Sequence, residues 1–245
     1  MSHLLEEHSK RKLHWQLKSG CEEDNECQNG GIMVWDPVKP FKCECPENYV
    51  REFCQQKIYD LSDSEILTKE PRQFYAHLTK WLPIVTGNWT VCWRASEHGW
   101  GGRIFHNRCD DEKPTLIIVK VVKDGKNFIF GGFATASFKG PGFIHAPGSF
   151  IFSLRNNDNL TPFKIPLIND LTRKALYSYS DSGPSFRYDL FISDKANSTA
   201  NSLADLGREY QTPPGYKVYE ENTQALLAGS ENFTPLEVEV LYFHE

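Results

Sequence analysis

From Asp60 onward, stretches whose apolar residues recur at helical spacing give way to stretches where they alternate or run together, and this contrast predicts the elements. Ser62, Asp63 and Ser64 offer side-chain oxygens to cap a helix that begins near Glu65 and is interrupted at Pro71. Phe74, Leu78, Trp81 and Leu82 then follow a helical period as far as Pro83, giving an amphipathic piece whose apolar side needs a partner surface. Thr115 to Val122 is an almost unbroken β-branched run with Lys120 as its only charge, which reads as a strand buried on both faces. Asp124-Gly125 suits a hairpin turn into Asn127 to Thr135. Phe150, Phe152 and Leu154 alternate, and so do Leu236, Val238, Val240 and Tyr242. Such strands without a regular βαβ alternation predict a mainly β (α+β) domain over residues 61–245, an antiparallel two-sheet sandwich with short flanking helices.

The first sixty residues lack this patterning and hold most of the sulfur. Of seven cysteines, Cys21, Cys27, Cys43, Cys45 and Cys54 cluster in residues 21–56, leaving Cys92 and Cys109 for the remainder. So short a segment buries too little apolar surface to offset its chain entropy, and cross-links that persist in an oxidising compartment make up the difference. This predicts a small disulfide-rich module after a polar segment, residues 1–20, and an extracellular or cell-surface location. Residues 1–20 offer only Leu4-Leu5 where a secretory signal needs about 7 to 15 apolar residues. We therefore expect a signal upstream of the residues given; the alternative is a cytoplasmic protein with reduced thiols.

Charge narrows the partners. A net charge of -5 without a basic stripe argues against nucleic acid, and no apolar run approaches the roughly 20 residues of a membrane span. Lys10, Arg11 and Lys12 read as a solvated face.

Cys27-Gln-Asn-Gly-Gly, the Asp36-x4-Phe41-x-Cys43 pattern and the spacing to Cys45 and Cys54 resemble an EGF-like module. In that family the Gln28 to Gly31 stretch is a tight turn, where glycines accept positive φ. The resemblance implies pairing of Cys27 with Cys43 and of Cys45 with Cys54. The family's third cysteine is replaced by Ile32 and Met33, which leaves Cys21 as a free thiol or a candidate for an intermolecular bridge. Glu23-Asp24-Asn25-Glu26 has the oxygen chemistry of a calcium site, but in the family such a motif precedes the first cysteine, and a solvated acidic loop is the simpler reading.

In the larger part, Trp93-Arg94-Ala95-Ser96, Gly99-Trp100, Phe105-His106, Cys109-Asp110 and Pro114-Thr115 occur in order. They are followed by Phe130-Gly131-Gly132-Phe133, Ser149 to Asn156, Gly183-Pro184-Ser185-Phe186 and Asp189-Leu190. Leu227-Ala228-Gly229-Ser230, Asn232-Phe233 and Leu236 to Val240 complete the series. This succession resembles a TLDc domain, and the resemblance implies a β-sandwich flanked by helices. It also implies an association with protection against oxidative damage, without a catalytic constellation.

Individual motifs add little chemistry. His106 with Cys109, Asp110 and Asp111 contains the residues of a thiol nucleophile, but a buried cysteine and a satisfied histidine fit the pattern better. His98, His106 and Cys109 lack the paired spacings of a zinc site, and Ser96-Glu97-His98, read as extended, points to opposite faces. We expect no catalytic residue, metal or cofactor. Cys109 should close a helix beginning near Gly102 and point inward as a slow, buried thiol, with Ile104 and Phe105 buried beside it. Gly131-Gly132 suits a close approach of backbone segments.

Two functional readings follow. The first is a non-enzymatic interaction protein whose EGF-like and TLDc surfaces bind protein partners, with Trp15 and Trp35 as candidate contacts and carbohydrate as the alternative ligand for exposed tryptophans. The second is an antioxidant or redox-active protein using Cys109 or Cys92, related to oxidation-resistance proteins. The sequons at Asn88, Asn159, Asn197 and Asn232 are candidate glycosylation sites, Asn197 foremost because its neighbours are polar and lack a strand pattern.

Overall fold

A computed structural model of the chain describes residues 26–39, 41–46, 49–50, 52–54, 56–57, 60–83, 88–169 and 174–244. Two compact units divide between Tyr59 and Asp60. Cys21, Trp15 and residues 23–25 of the acidic stretch lie outside the described residues.

The described residues of the N-terminal unit form two short hairpins. Strand β1 (Ile32–Val34) pairs antiparallel with β2 (Lys42–Glu44), and β3 (Tyr49–Val50) with β4 (Gln56–Lys57). Disulfides join Cys27 to Cys43 and Cys45 to Cys54, and Cys27 and Cys54 are buried. In the turn from Gln28 to Gly31 the positive φ values fall on Asn29 and Gly30. Gly31 has a different reason to be glycine: a Cβ there would lie 2.4 Å from the Cys54 sulfur. The Asn29 side chain donates to the Cys54 carbonyl, tying the turn to the second disulfide.

The C-terminal unit opens with two helices, α1 (Glu65–Thr68) and α2 (Gln73–Trp81). Ser64 caps α1, its hydroxyl accepting from the Leu67 N–H. Next come β5 (Asn88–Arg94), α3 (Ala95–His98) and α4 (Gly102–Cys109). Ser96-Glu97-His98 thus belongs to a single helical turn rather than an extended segment, because the β5 backbone turns at Ala95.

The long strands are β6 (Thr115–Lys123) and β7 (Lys126–Ala134), joined through Asp124 and Gly125, both at positive φ. There follow β8 (Gly142–Ile144), β9 (Phe150–Arg155), β10 (Phe163–Pro166) and β11 (Leu176–Ser178). Four short pieces come next: β12 (Ser185–Phe186), β13 (Leu190–Phe191), β14 (Ser202–Ala204) and, after helix α5 (Glu221–Ala225), β15 (Asn232–Phe233). The series ends with β16 (Glu237–His244).

A six-stranded antiparallel sheet in the order β10-β9-β7-β6-β16-β5 packs against a four-stranded sheet, β12-β13-β14-β15. The contact is aromatic: Phe130 of β7 meets Phe233 of β15 edge to face at 5.4 Å between centroids. Gly132 leaves room for Phe186, whose ring would lie 2.3 Å from a Cβ there. Gly131, pointing the other way, would bring a Cβ 1.9 Å from the Ile117 carbonyl oxygen of β6. A smaller sheet pairs β8 with β11.

Helices α1 and α2 serve the opposite face of the large sheet. Phe74, Leu78 and Leu82 are buried, and the Glu70 carboxylate reaches Arg155 of β9 at 2.5 Å and Lys120 of β6 at 3.9 Å. Ile117 and Val119 look into the inter-sheet core while Leu116 and Ile118 are equally buried, which explains the unbroken apolar run. Alternation in β16 is misleading for the same reason: Glu239 between Val238 and Val240 is fully buried, and Leu236 precedes the strand and is exposed.

Cys109 is buried at the end of α4, yet it is not a thiol. It forms a disulfide with Cys92 of β5, because α4 packs against β5 and brings the two Cα atoms to 5.6 Å. Phe105 is buried beside it, whereas Ile104 lies at the exposed limit, on the outer side of the same helix.

Candidate interaction surface

The antiparallel register of β8 and β11 sets Phe143 opposite Tyr177, their rings 4.8 Å apart and nearly perpendicular. Tyr179 follows two residues later on the same face, 4.2 Å from Tyr177, and reaches Phe191 of β13 at 5.8 Å. Phe143, Tyr179 and Tyr188 are exposed, although large apolar rings are ordinarily drawn inward. Burial, with Tyr188 and Tyr177 beside it, pushes the Tyr179 phenol up from its ordinary value.

Cations lie over these rings. The β12–β13 turn carries Arg187 at φ 61°, an uncommon conformation for a residue with a Cβ. Its guanidinium stands 4.3 Å from the Phe143 ring centroid and 5.8 Å from that of Tyr188, and pairs with Glu209 at 3.2 Å. Arg208 stands 5.2 Å from the centroids of both Tyr188 and Tyr219 and is held by the buried Asp205. Lys174 reaches Phe143 at 4.9 Å. Phe143, Tyr177, Tyr179, Ser185, Arg187 and Tyr188 together line a shallow depression.

Directly after Tyr188 in the chain comes a second buried carboxylate, Asp189. Asp189 Oδ1 accepts from the N–H groups of Gly207, Arg208 and Tyr210, and Oδ2 from that of Glu209, at 2.8 to 3.3 Å. Burial pushes this carboxyl up to about 7, against the four N–H groups that pull it down. Asp189 thereby joins the turn bearing Arg187 and Tyr188 to the loop bearing Arg208 and Glu209. Ion pairs and ring contacts then hold the cations in place, so little side-chain freedom is left to lose on binding.

The candidates read from sequence lie elsewhere. His106 contacts Asp110 and the Tyr179 carbonyl, each at 2.7 Å, and its neighbour Cys109 is committed to Cys92, so no thiol and base stand together. Among the described residues no group of three His, Cys, Asp or Glu side chains could hold a metal ion. Trp93 is buried and donates to the Gly99 carbonyl, and Trp89 is buried as well, whereas Trp35 in the N-terminal unit is exposed. Asn88, Asn159, Asn197 and Asn232 are all exposed, Asn197 in a turn, Asn159 just after one, and the other two in strands β5 and β15. The aromatic and cationic cluster was missed because it draws on residues from Phe143 to Tyr219; its one local signal is the pair Tyr177 and Tyr179, two apart at the end of a strand.

Fold and surface define a mainly β protein with a disulfide-rich N-terminal unit and a helix-flanked sandwich that carries a fixed aromatic and cationic face. The TLDc domain matches residues 61–244, and the chain belongs to that family. Compared with curated proteins, the chain has no match. No helix among the described residues is long and apolar enough to cross a membrane.

Proposed function

We propose that this is a non-enzymatic, secreted or cell-surface interaction protein in which an EGF-like N-terminal module and the TLDc sandwich present binding surfaces to protein partners. The observation that carries the reading is the Arg187, Tyr188 and Arg208 cluster: residue types enriched at binding hot spots, with Tyr188 exposed and the two arginines partly buried and held in place by Asp189 and two ion pairs. Three disulfides among the described residues, one of them inside the sandwich, support an oxidising location. The alternative antioxidant role through Cys92 or Cys109 starts from a thiolate, whereas these two sulfurs are bonded to each other and buried.

The test is expression behind a secretory leader, followed by thiol titration and binding to intact cells of the protein's own source. The expected result is oxidised protein in the medium whose saturable binding weakens in Tyr188→Ala at an unchanged melting temperature. Reduced, reactive Cys92 and Cys109 together with an absence of saturable binding would reject the reading in favour of redox chemistry.

A further inference from the structure

The depression is lined by four aromatic rings, by Arg187 and by Ser185, whose hydroxyl donates to the Arg187 carbonyl. The two acids nearest its arginines are turned inward: the Asp205 side chain is fully buried, and that of Glu209 is 15% exposed and bonded to Arg187. Lys174, Tyr179 and Tyr188 are exposed, while Tyr177 and the side chains of Arg187 and Arg208, 14% and 31% exposed, are partly covered; the hydroxyls of the three tyrosines have no protein hydrogen-bond partner among the described residues. A protein of net charge -5 thus carries a local concentration of cations over aromatic rings. Such a surface suits a ligand that brings carboxylates to the donors and apolar groups to the ring edges.

Ring geometry separates the candidates. A neutral or anionic sugar stacks on an open, flat ring face, but Phe143 has Lys174 and Arg187 against it, and Tyr188 has Arg187 and Arg208. Of the remaining contacts, Phe143 with Tyr177 and Tyr179 with Phe191 are edge to face, and Tyr177 with Tyr179 is tilted at 41°. Grooves between tilted rings admit side chains better than pyranose faces. Resting on the interaction reading above, we propose that the depression between β8, β11 and the β12–β13 turn docks an acidic peptide segment of a protein partner. In it an aspartate or glutamate meets Arg187 and Lys174 while an adjacent aromatic or aliphatic side chain enters beside Tyr179 and Tyr188.

The test measures binding of the full oxidised chain to a random copolymer of glutamate and tyrosine, with a glutamate homopolymer, a lysine homopolymer and heparin in parallel. The copolymer is expected to bind more tightly than the glutamate homopolymer, to weaken as salt rises, and to lose about tenfold in affinity in Tyr188→Ala. Lys174→Glu should weaken it comparably, and Arg187→Lys should not preserve it, because an ammonium cannot reproduce the planar fork. Tyr188 and Lys174 are both exposed, so these two variants should retain the wild-type melting temperature. Failure of both acidic polymers to bind, or binding indifferent to Tyr188→Ala and Lys174→Glu, would overturn the proposal. Heparin binding that is lost in those variants while copolymer binding is not would also overturn it, in favour of a saccharide surface. If cell binding still depends on Tyr188 when the acidic polymers fail, the interaction reading stands and the acidic-peptide assignment alone falls.

Discussion

The carboxylate of Glu239, in the last strand, accepts the hydroxyl of Ser64 at 2.5 Å across a separation of 175 residues. The same carboxylate accepts the Glu65 and Ile66 N–H groups at the start of α1 and the Arg94 Nε at 2.9 Å. One buried anion therefore joins the first helix, the edge strand β5 and the C-terminal strand, and it sits at the positive end of a helix where negative charge is favoured.

Replacing Glu239 by Gln leaves the shape but removes the charge that Arg94 and α1 face. Breaking a buried pair from one side is expected to cost about 3 kcal/mol, and Ser64→Ala, which removes the helix cap, about 1 kcal/mol. Because the two residues share one network, urea denaturation of both single variants and the double variant should show clear non-additivity. Strictly additive losses would mean that the contact does not couple them.

The disulfide between Cys92 and Cys109 closes a loop with a sequence separation of 17. Its replacement by two alanines should lower stability by about 3 kcal/mol, as expected when a loop of that size is released in the unfolded chain. Iodoacetamide should label neither sulfur in the native protein until a reductant is added. Rapid labelling without reductant would show that the pair is open.

Asp189 predicts a pH dependence with a definite sign. Its carboxyl titrates at about 7 in the folded protein against an ordinary value of 3.8. Between those values the folded state holds a proton that the unfolded state has released. The associated stability is therefore full below about pH 4, declines with rising pH, and is lost above about pH 7. Stability of the wild type relative to Asp189→Asn should fall over that window, with Arg208 as a charged group that interacts with it. Parallel curves for the two proteins would dismiss the effect.

Asn197 is expected to carry glycan when the protein passes through a secretory pathway, and Asn88, Asn159 and Asn232 are acceptors of the same kind. All four side chains are exposed. Enzymatic deglycosylation should reduce the mass of secreted protein, and Thr199→Ala should remove the portion due to Asn197. No mass change at any site would count against passage through that compartment.

Local physical chemistry was sufficient for much of the architecture. The caps before Glu65, the break at Pro71, the Asp124-Gly125 turn and the long strands around it depend on neighbours in the chain, so their signals survive in the linear order. The N-terminal pairs Cys27–Cys43 and Cys45–Cys54 were legible only through the resemblance of their spacing to an EGF-like module, which implies that pairing. Only the tertiary structure placed β16 between β5 and β6, and so decided that Glu239, an outward position by alternation, is covered by α1. It also paired Cys92 with Cys109, since the approach of α4 to β5 depends on packing that residue patterns do not encode. The candidate surface was invisible for the same reason. Phe143, Arg187, Arg208 and Tyr219 become neighbours through antiparallel register and one buried carboxylate, and neither a strand's alternation nor a turn's glycine reports which distant segment will lie beside it.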